Sequence, residues 1–303
     1  MRGLSAIIGR WPPAIQCGFW IILSGTLMTV QLAIVRYIAR DVNVFEIVFF
    51  RAIFGVLAIL PMMARRERAW LQPQRPGLLL LCGTLAFLAT VGFYMAAKFL
   101  PIADITAIHF SRPVFAAMLA SVVLGETLRG NRAVAIVVGL IGAAIIIRPG
   151  LVELNVGVIY VLGVVAVQSW NPINRKLLSK SEHPDTVAIW VTATILPWSL
   201  IAVPFVWVTP TVALVAWMAV VGVLEVLNQR VLSRAYIQGD AVLVVALHYT
   251  RLPLAALIGF LVFAEFPDPW VWVGGAVIAA SSIWLARRET AVARTRKLQG
   301  GSP

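Results

Sequence analysis

Residues 109–112 read His-Phe-Ser-Arg, and residues 248–251 read His-Tyr-Thr-Arg, each inside a long apolar segment. The two runs are 248 − 109 = 139 residues apart. The same offset aligns four further pairs of like charge: Arg36 with Arg175, Glu46 with Asp185, Glu126 with Glu265 and Arg148 with Arg287. One register held over this much of the chain predicts two copies of a single unit, each nearly half of the protein.

The composition predicts that the two copies lie in a membrane. The chain is 60% hydrophobic and 13% charged, with a mean hydropathy of +0.90. A soluble domain carries about 25% charged residues. Because soluble packing cannot hide this much apolar surface, lipid must act as solvent for part of it. We therefore expect the lipid bilayer to be a partner of the chain.

Ten apolar stretches are long enough to cross a hydrocarbon core, which needs roughly 20 helical residues. They are continuously apolar, which favours helices over the alternating strands of a barrel. The stretches run near 14–35, 44–63, 77–98, 102–124, 132–149, 155–175, 185–207, 211–232, 241–263 and 269–287. The sequence predicts an all-α integral membrane protein with a first five-helix repeat in residues 1–150, a second in 151–290, and a polar tail in 291–303.

The distribution of Arg and Lys predicts the orientation. Of the 25 basic residues, 18 fall on one side of the ten predicted spans, four on the other, and three, Arg51, Arg112 and Arg251, inside spans. Basic residues accumulate in the cytoplasm, so both termini are predicted to be cytoplasmic. This explains the net charge of +12 without nucleic acid, which we do not expect as a partner.

The number of spans predicts how the two repeats are related. Because each unit has five helices, the second enters the membrane inverted. Inverted repeats favour alternating access, with a small-molecule substrate bound near the midplane, in a central cavity between the halves. The chain contains no phosphate-binding loop, no metal-ligand spacing and no catalytic signature, so we expect neither a cofactor nor enzyme activity.

The fourth and ninth spans carry polar residues deep in apolar sequence, where such residues usually face the bundle interior or an aqueous cavity. His109 and Arg112 are three apart and so share a helix face. His248, Tyr249 and Arg251 repeat the pattern. Two interpretations stand: the histidines and arginines lock the repeats together, or they contact the substrate. The two histidines are predicted to occupy pseudo-symmetric positions.

The sixth span carries Gln168, Trp170, Asn171 and Asn174 around Pro172. Proline removes a backbone donor and crowds the preceding turn, so a bend is predicted there. Neutral amides can line a cavity or join neighbouring helices. We favour the cavity, because an aromatic ring and three amides lie beside one proline.

The eighth span carries Glu225 and Asn228 on one face, and the first carries Gln31. Glu225 either receives an amino group or a proton, or pairs with an arginine such as Arg112 or Arg251. Tyr94, like Trp170 and Tyr249, could form an aromatic wall. The candidate substrate-binding residues are Gln31, Tyr94, His109, Trp170, Asn171, Asn174, Glu225, Asn228, His248 and Tyr249.

Small residues in the fifth and tenth spans predict close helix contact. They include Gly139, Gly142 and Ala143 in one span and Gly274-Gly275 in the other. The contact can be a dimer interface or a helix pair within one protomer, so a monomer and a homodimer both remain open.

An ordered set of short motifs resembles the EamA domain of the drug/metabolite transporter superfamily. The set comprises the Lys98-Phe-Leu-Pro101 join, Arg112-Pro113, Gly125-Glu126-Thr127, a glycine-rich fifth span and Arg148-Pro149-Gly150, with Ala264-Glu265 replacing Gly-Glu in the second unit. The resemblance implies ten helices, inverted repeats, a central cavity and a multi-pass location in a bacterial inner membrane. Within the superfamily the chain is similar to the YddG-type exporters, which implies export of aromatic amino acids. A multidrug or other metabolite exporter is the alternative, and a receptor or membrane enzyme the third.

Overall fold

The computed structural model describes residues 13–63, 73–123, 131–148, 155–178, 181–182, 184–238, 244 and 247–298. These residues are predominantly helical, because long apolar stretches satisfy their backbone groups within the helix itself. The helices are α1 Pro13–Ile38, α2 Val44–Met63, α3 Pro76–Phe99, α4 Ile102–His109, α5 Arg112–Val123, α6 Asn131–Ile147, α7 Val156–Gln168, α8 Asn171–Leu178, α9 Pro184–Ala202, α10 Val212–Gln238, α11 Arg251–Phe263 and α12 Pro269–Leu298.

Three helical stretches are by themselves long and apolar enough to cross a membrane: Ile15–Ile38, Pro76–Phe99 and Val212–Ala235. Several predicted spans are represented by shorter apolar helices, among them Val156–Gln168 and Arg251–Phe263. The shortening has a specific cause, because the fourth, sixth and ninth predicted spans are each interrupted near their polar residues.

Two of the interruptions fall at equivalent positions of the 139-residue register. A turn at Phe110–Ser111 separates α4 from α5, and a turn at Tyr249–Thr250 precedes α11. The hydroxyl of Ser111 donates to the Ile108 carbonyl at 2.7 Å, and the hydroxyl of Thr250 donates to the Leu247 carbonyl at 2.6 Å. Each carbonyl also accepts from the backbone N–H of the same residue, at 3.0 Å for Ser111 and 3.1 Å for Thr250, so the two turns are bonded in the same way.

The sixth predicted span is interrupted at Ser169–Trp170, between α7 and α8. This is the neighbourhood of Pro172, where the sequence predicts a bend. The Ser169 hydroxyl donates to the Val165 carbonyl at 2.6 Å, and the backbone N–H of Asn174 donates to the Trp170 carbonyl at 3.0 Å. The turn therefore stays hydrogen-bonded on both sides of the break.

The main helix contacts join the first half of the chain to the second. α1 lies against α10 and α11, α3 against α7 and α9, and α6 against α12. In the 139-residue register α1 corresponds to α7, α2 to α9, and α3 to α10. The contact of α1 with α10 therefore corresponds to that of α7 with α3, and the contact of α2 with α10 to that of α9 with α3. The two halves therefore interleave, and most of the buried core lies between them.

The α6–α12 contact is the close approach predicted from small residues, and it lies within one protomer. A Cβ added at Gly142 would come within 3.0 Å of the Gly274 carbonyl, and one at Gly274 within 2.5 Å of the Gly142 carbonyl. Only glycine lets the two backbones approach this closely. Gly142 and Gly274 therefore pack two helices of the same protomer against each other.

The C-terminal helix is longer than the sequence indicates. The apolar run ends near residue 287, and the remainder reads as a polar tail, but α12 continues through Leu298. The extension is rich in Ala, Arg, Lys and Glu, which are strong helix formers. A helix does not have to end where its apolar character ends.

Candidate functional site

A buried cluster of polar side chains joins four helices, and we call it the paired cluster. It consists of Gln31 on α1, Arg51 on α2, Tyr94 on α3 and Glu225 on α10. Arg51 Nη2 lies 3.2 Å from Glu225 Oε2. Gln31 Nε2 donates to the same carboxylate oxygen at 3.1 Å and to the Tyr94 hydroxyl at 3.0 Å. One amide thus connects the tyrosine to the ion pair.

Further contacts saturate the ion pair. Gln229 Nε2 donates to Glu225 Oε1 at 3.0 Å, and Arg51 Nη1 donates to Thr90 Oγ1 at 3.1 Å. The guanidinium carbon of Arg51 lies 5.7 Å from the centre of the Tyr94 ring. A buried ion pair is tolerated only when its remaining donors and acceptors are also bonded, and this one meets that condition. The Glu225 side chain is 26% exposed and that of Arg51 11%, so the carboxylate is the more accessible partner.

About one helical turn beyond Glu225 on α10, Asn228 forms a separate hydrogen bond to α1. The Ser24 hydroxyl donates to Asn228 Oδ1 at 2.5 Å, and both residues are buried. This bond fixes α10 against α1 next to the paired cluster. Asn228 therefore has a positioning role in the described structure.

A second cluster surrounds the breaks in the fourth and ninth predicted spans, and we call it the arginine cluster. It contains His109, Arg112, Gln168, His248 and Arg251. The Gln168 Oε1 oxygen accepts from Arg112 Nη1 at 3.2 Å and lies 2.9 Å from His109 Nε2. Because that oxygen can only accept, His109 donates through Nε2.

Aromatic rings border the arginine cluster. Phe93 meets the His109 ring edge to face, with centroids 5.1 Å apart. Tyr249 meets Phe110 in the same manner, at 4.6 Å. Phe110 and Tyr249 are equivalent in the 139-residue register, so the two copies touch each other at matching positions.

Arg251 differs from the other charged residues of the cluster. It is only 5% exposed, and among the described residues its Nε and Nη2 atoms find no hydrogen-bond partner. Its Cβ and Cγ atoms pack against α1 at Gly25, 3.6 and 3.7 Å from the position a Cβ there would take. The absent side chain at Gly25 makes room for the arginine stem.

The amide residues of the sixth predicted span lie around the α7–α8 turn. Asn174 is buried, and its Nδ2 atom has no hydrogen-bond partner among the described residues. Trp170 is 36% exposed, and Asn171 begins α8 in a half-buried position. Trp170 follows Gln168 of the arginine cluster by two residues. The described contacts do not link it to the paired cluster.

The structure thus divides the predicted site residues into groups. Gln31, Tyr94 and Glu225 form the paired cluster; His109, His248 and Tyr249 surround the second; Trp170, Asn171 and Asn174 follow the α7–α8 turn. The sequence suggested Arg112 or Arg251 as the partner of Glu225, whereas the structure provides Arg51. Sequence reasoning missed Arg51 and Thr90 as members of a site. The signal for Arg51 was present, since it is one of the three arginines predicted to lie inside spans.

Two further ion pairs lie at helix ends. Arg36 near the end of α1 makes a bidentate pair with Glu265, and Arg148 Nη2 lies 2.5 Å from Asp268 Oδ2. Ala264, just before Glu265, has a left-handed φ of 54°, a conformation that favours glycine. The backbone N–H of Trp270, followed by the Arg148 guanidinium, lowers the pKa of the Asp268 carboxyl.

The described residues contain no group of three or more His, Cys, Asp or Glu side chains that could hold a metal ion. What they contain instead is apolar helices with two buried polar clusters where the halves meet. Residues 16–148 match the EamA-like transporter family. Over this segment, a little under half of its length, the chain is similar to that transporter family.

Particular relatives align with nearly the whole chain. The S-adenosylmethionine uptake transporter of Rickettsia bellii is 26% identical over 273 residues, covering 89% of this chain and 93% of the relative. The riboflavin transporter of Vibrio cholerae is 27% identical, covering 93% and 97%. The pseudopaline exporter CntI of Pseudomonas aeruginosa is 28% identical, covering 88% and 94%.

One solved structure has a similar fold. A crystal structure superposes with a TM-score of 0.59 and 17% sequence identity, covering 91% of this chain and 98% of the other. At this identity the similarity concerns the fold alone.

Proposed function

We propose that this protein is a secondary exporter of aromatic amino acids and similar amphipathic metabolites across the bacterial inner membrane. It works by alternating access between two inverted five-helix repeats, with both termini in the cytoplasm. Two observations support the proposed repeats. The helix contacts correspond between the two halves, and turns lie at the matching positions Phe110–Ser111 and Tyr249–Thr250. In secondary transporters the substrate usually binds where two inverted halves meet, at helices that are interrupted near polar residues.

The observation that carries the proposed substrate is the paired cluster. A zwitterion with an aromatic side chain needs a carboxylate for its ammonium group and an aromatic wall for its ring. Glu225, the more accessible member of the ion pair, supplies the first. Tyr94, hydrogen-bonded through Gln31 to that carboxylate, supplies the second.

The relatives support an aromatic or zwitterionic substrate in different ways. S-adenosylmethionine combines an amino acid with a purine ring, and riboflavin is a fused aromatic ring system. The motif resemblance to YddG-type exporters favours aromatic amino acids as the substrate. The second candidate is a larger heteroaromatic metabolite of the S-adenosylmethionine kind. Uptake and export both occur among these relatives, so the direction of transport is a separate outcome of the test.

The deciding experiment is flux through the purified protein in proteoliposomes. We expect labelled L-tryptophan to cross, with competition by unlabelled phenylalanine and tyrosine and not by leucine. Imposing a pH gradient distinguishes proton-coupled transport from facilitated diffusion. Tryptophan flux no higher than in protein-free vesicles, together with S-adenosylmethionine flux, would replace the first candidate by the second.

Orientation has its own measurement. We expect a tag fused after residue 303 to be inaccessible to an impermeant reagent in intact cells and accessible after lysis. Labelling in intact cells would contradict the cytoplasmic placement of the C-terminus.

A further inference from the structure

Arg251 presents a buried charge that the described protein does not complete. It is 5% exposed, and two of its nitrogens, Nε and Nη2, are shielded from solvent without a hydrogen-bond partner among the described residues. An ionised donor in that position costs several kcal/mol of solvation unless something bonds to it. Native proteins rarely leave such donors without a hydrogen bond, so this guanidinium requires an acceptor that the described residues do not supply.

The charged neighbours of Arg251 are cationic or neutral. Arg112 acts on it electrostatically, and both arginines act on His109 and His248. The buried carboxylate of Glu225 is bonded elsewhere, to Arg51, Gln31 and Gln229. The described surroundings of Arg251 therefore carry an excess of positive charge.

The two nitrogens without a described partner lie on the same side of the guanidinium. Nε and Nη2 form one edge of the planar guanidinium, with their N–H bonds nearly parallel. This edge matches the two oxygens of a carboxylate, which it binds with two charge-assisted hydrogen bonds. A single missing bond could be filled by water, but a whole vacant edge matches a planar anion.

We propose that the vacant edge of Arg251, with Arg112 beside it, binds the carboxylate of the transported molecule. The site rests on the proposed function, because it assigns the anionic end of the substrate whose ammonium group lies at Glu225. In the described conformation the two nitrogens have no solvent contact, so the site is occluded. An anion reaches it when the helix segments beside the Phe110–Ser111 and Tyr249–Thr250 turns move apart.

Both clusters contact α1. The Arg251 stem packs at Gly25, and Glu225 accepts from Gln31, six residues further along the helix. Six helical residues rise about 9 Å, so the two clusters contact α1 at levels less than two helical turns apart.

The test compares ligands that differ in one group, bound to the full-length protein in lipid nanodiscs. The probes are L-tryptophan and tryptamine, which lacks the carboxylate. For wild type we expect L-tryptophan to bind more tightly. In Arg251→Gln we expect L-tryptophan affinity to fall by about tenfold or more, since charge-assisted bonds are the strong ones. Tryptamine affinity should change by less than about twofold, because tryptamine does not use the edge.

Two further variants separate the explanations. Arg251→Lys keeps the charge but loses the two-nitrogen edge, so it should resemble Arg251→Gln in its loss of L-tryptophan binding. Arg234→Gln is the matched control: its guanidinium lies 5.1 Å over the Trp20 ring, away from the cluster, and both ligands should bind as in wild type.

The possible outcomes test the anion site at Arg251 and the proposed substrate separately. If wild type ignores tryptophan but binds S-adenosylmethionine more tightly than its decarboxylated form, and Arg251→Gln removes that preference, the anion site holds and aromatic amino acid transport fails. If Arg251→Gln binds L-tryptophan as wild type does, the anion site is refuted while the transport proposal survives. A wild type that binds neither carboxylate better than its decarboxylated partner also refutes the site, with no variant needed.

Discussion

The paired cluster and the arginine cluster both place arginines in an apolar helix bundle, yet the contacts described for Arg51 differ from those described for Arg251. Arg51 meets Glu225, and the neighbouring amides, hydroxyl and ring complete the bonding. Arg251 lies near Arg112 and two histidines, and one edge of its guanidinium has no hydrogen-bond partner among the described residues. The first arrangement is stable without a ligand, although the Glu225 side chain is still 26% exposed to an incoming ammonium group. The second becomes favourable only when an anion arrives, which is what a binding site requires.

The largest expected effect comes from breaking the paired cluster. Glu225→Gln leaves Arg51 buried without a carboxylate, so the free energy of unfolding should fall by about 2–4 kcal/mol. Thermal or detergent unfolding of the purified protein measures it. The double variant Arg51→Gln/Glu225→Gln should recover more than half of the loss, because neither charge is then stranded. No recovery would mean that the pair is not the reason for the loss.

The next effect tests whether the α7–α8 turn belongs with the arginine cluster. Trp170 follows Gln168, which bonds both Arg112 and His109. Stacking of an aromatic substrate contributes roughly 0.5–1.5 kcal/mol beyond burial, so Trp170→Ala should slow tryptophan transport by about tenfold. The amount of protein in the membrane should be unchanged. Transport at the wild-type rate, or loss of the folded protein, would place Trp170 outside the substrate path.

A smaller loss of unfolding free energy is expected for the ion pair at the helix ends. Arg36 and Glu265 form a bidentate pair whose side chains are 16% and 23% exposed. Located at helix ends, this pair should contribute less than the paired cluster, so Glu265→Gln should cost about 1 kcal/mol in the same unfolding assay. Because the two pairs are similarly exposed, a cost equal to that of Glu225→Gln would show that the location of the pair along its helices does not set its contribution.

The smallest effect has the opposite sign. Without ligand, Arg251→Gln removes an incompletely bonded buried cation, so the unfolding free energy should stay constant or rise by up to about 1 kcal/mol. Unfolding of ligand-free protein, with Arg234→Gln alongside, measures it. A loss as large as that of Glu225→Gln would make Arg251 a structural residue and remove the contrast between the two clusters.

Much of this arrangement could be predicted from sequence, because repetition and polarity leave local signals. The shared register predicted that the two His-x-x-Arg runs are equivalent, and Pro172 predicted a bend near Trp170. Glu225 was recognisable as a carboxylate in an apolar span.

Its partner was not predictable in the same way. α2 is apolar on all sides, so the sequence does not indicate which face Arg51 presents. Selecting Arg51 over Arg112 and Arg251 requires the packing of α2 against α10, a contact between residues far apart in the chain. The bond between Thr90 and Arg51 depends on the same tertiary arrangement.

The contact between Phe110 and Tyr249 has a mechanical consequence. The register makes these two residues equivalents of each other, and their rings touch at 4.6 Å. In the proposed alternating-access cycle, a motion that exchanges the conformations of the two halves carries this contact onto itself, which places the two rings at the pivot of the proposed motion. Bulk added at this point should resist both directions of the swing equally, slowing the cycle without favouring either facing state.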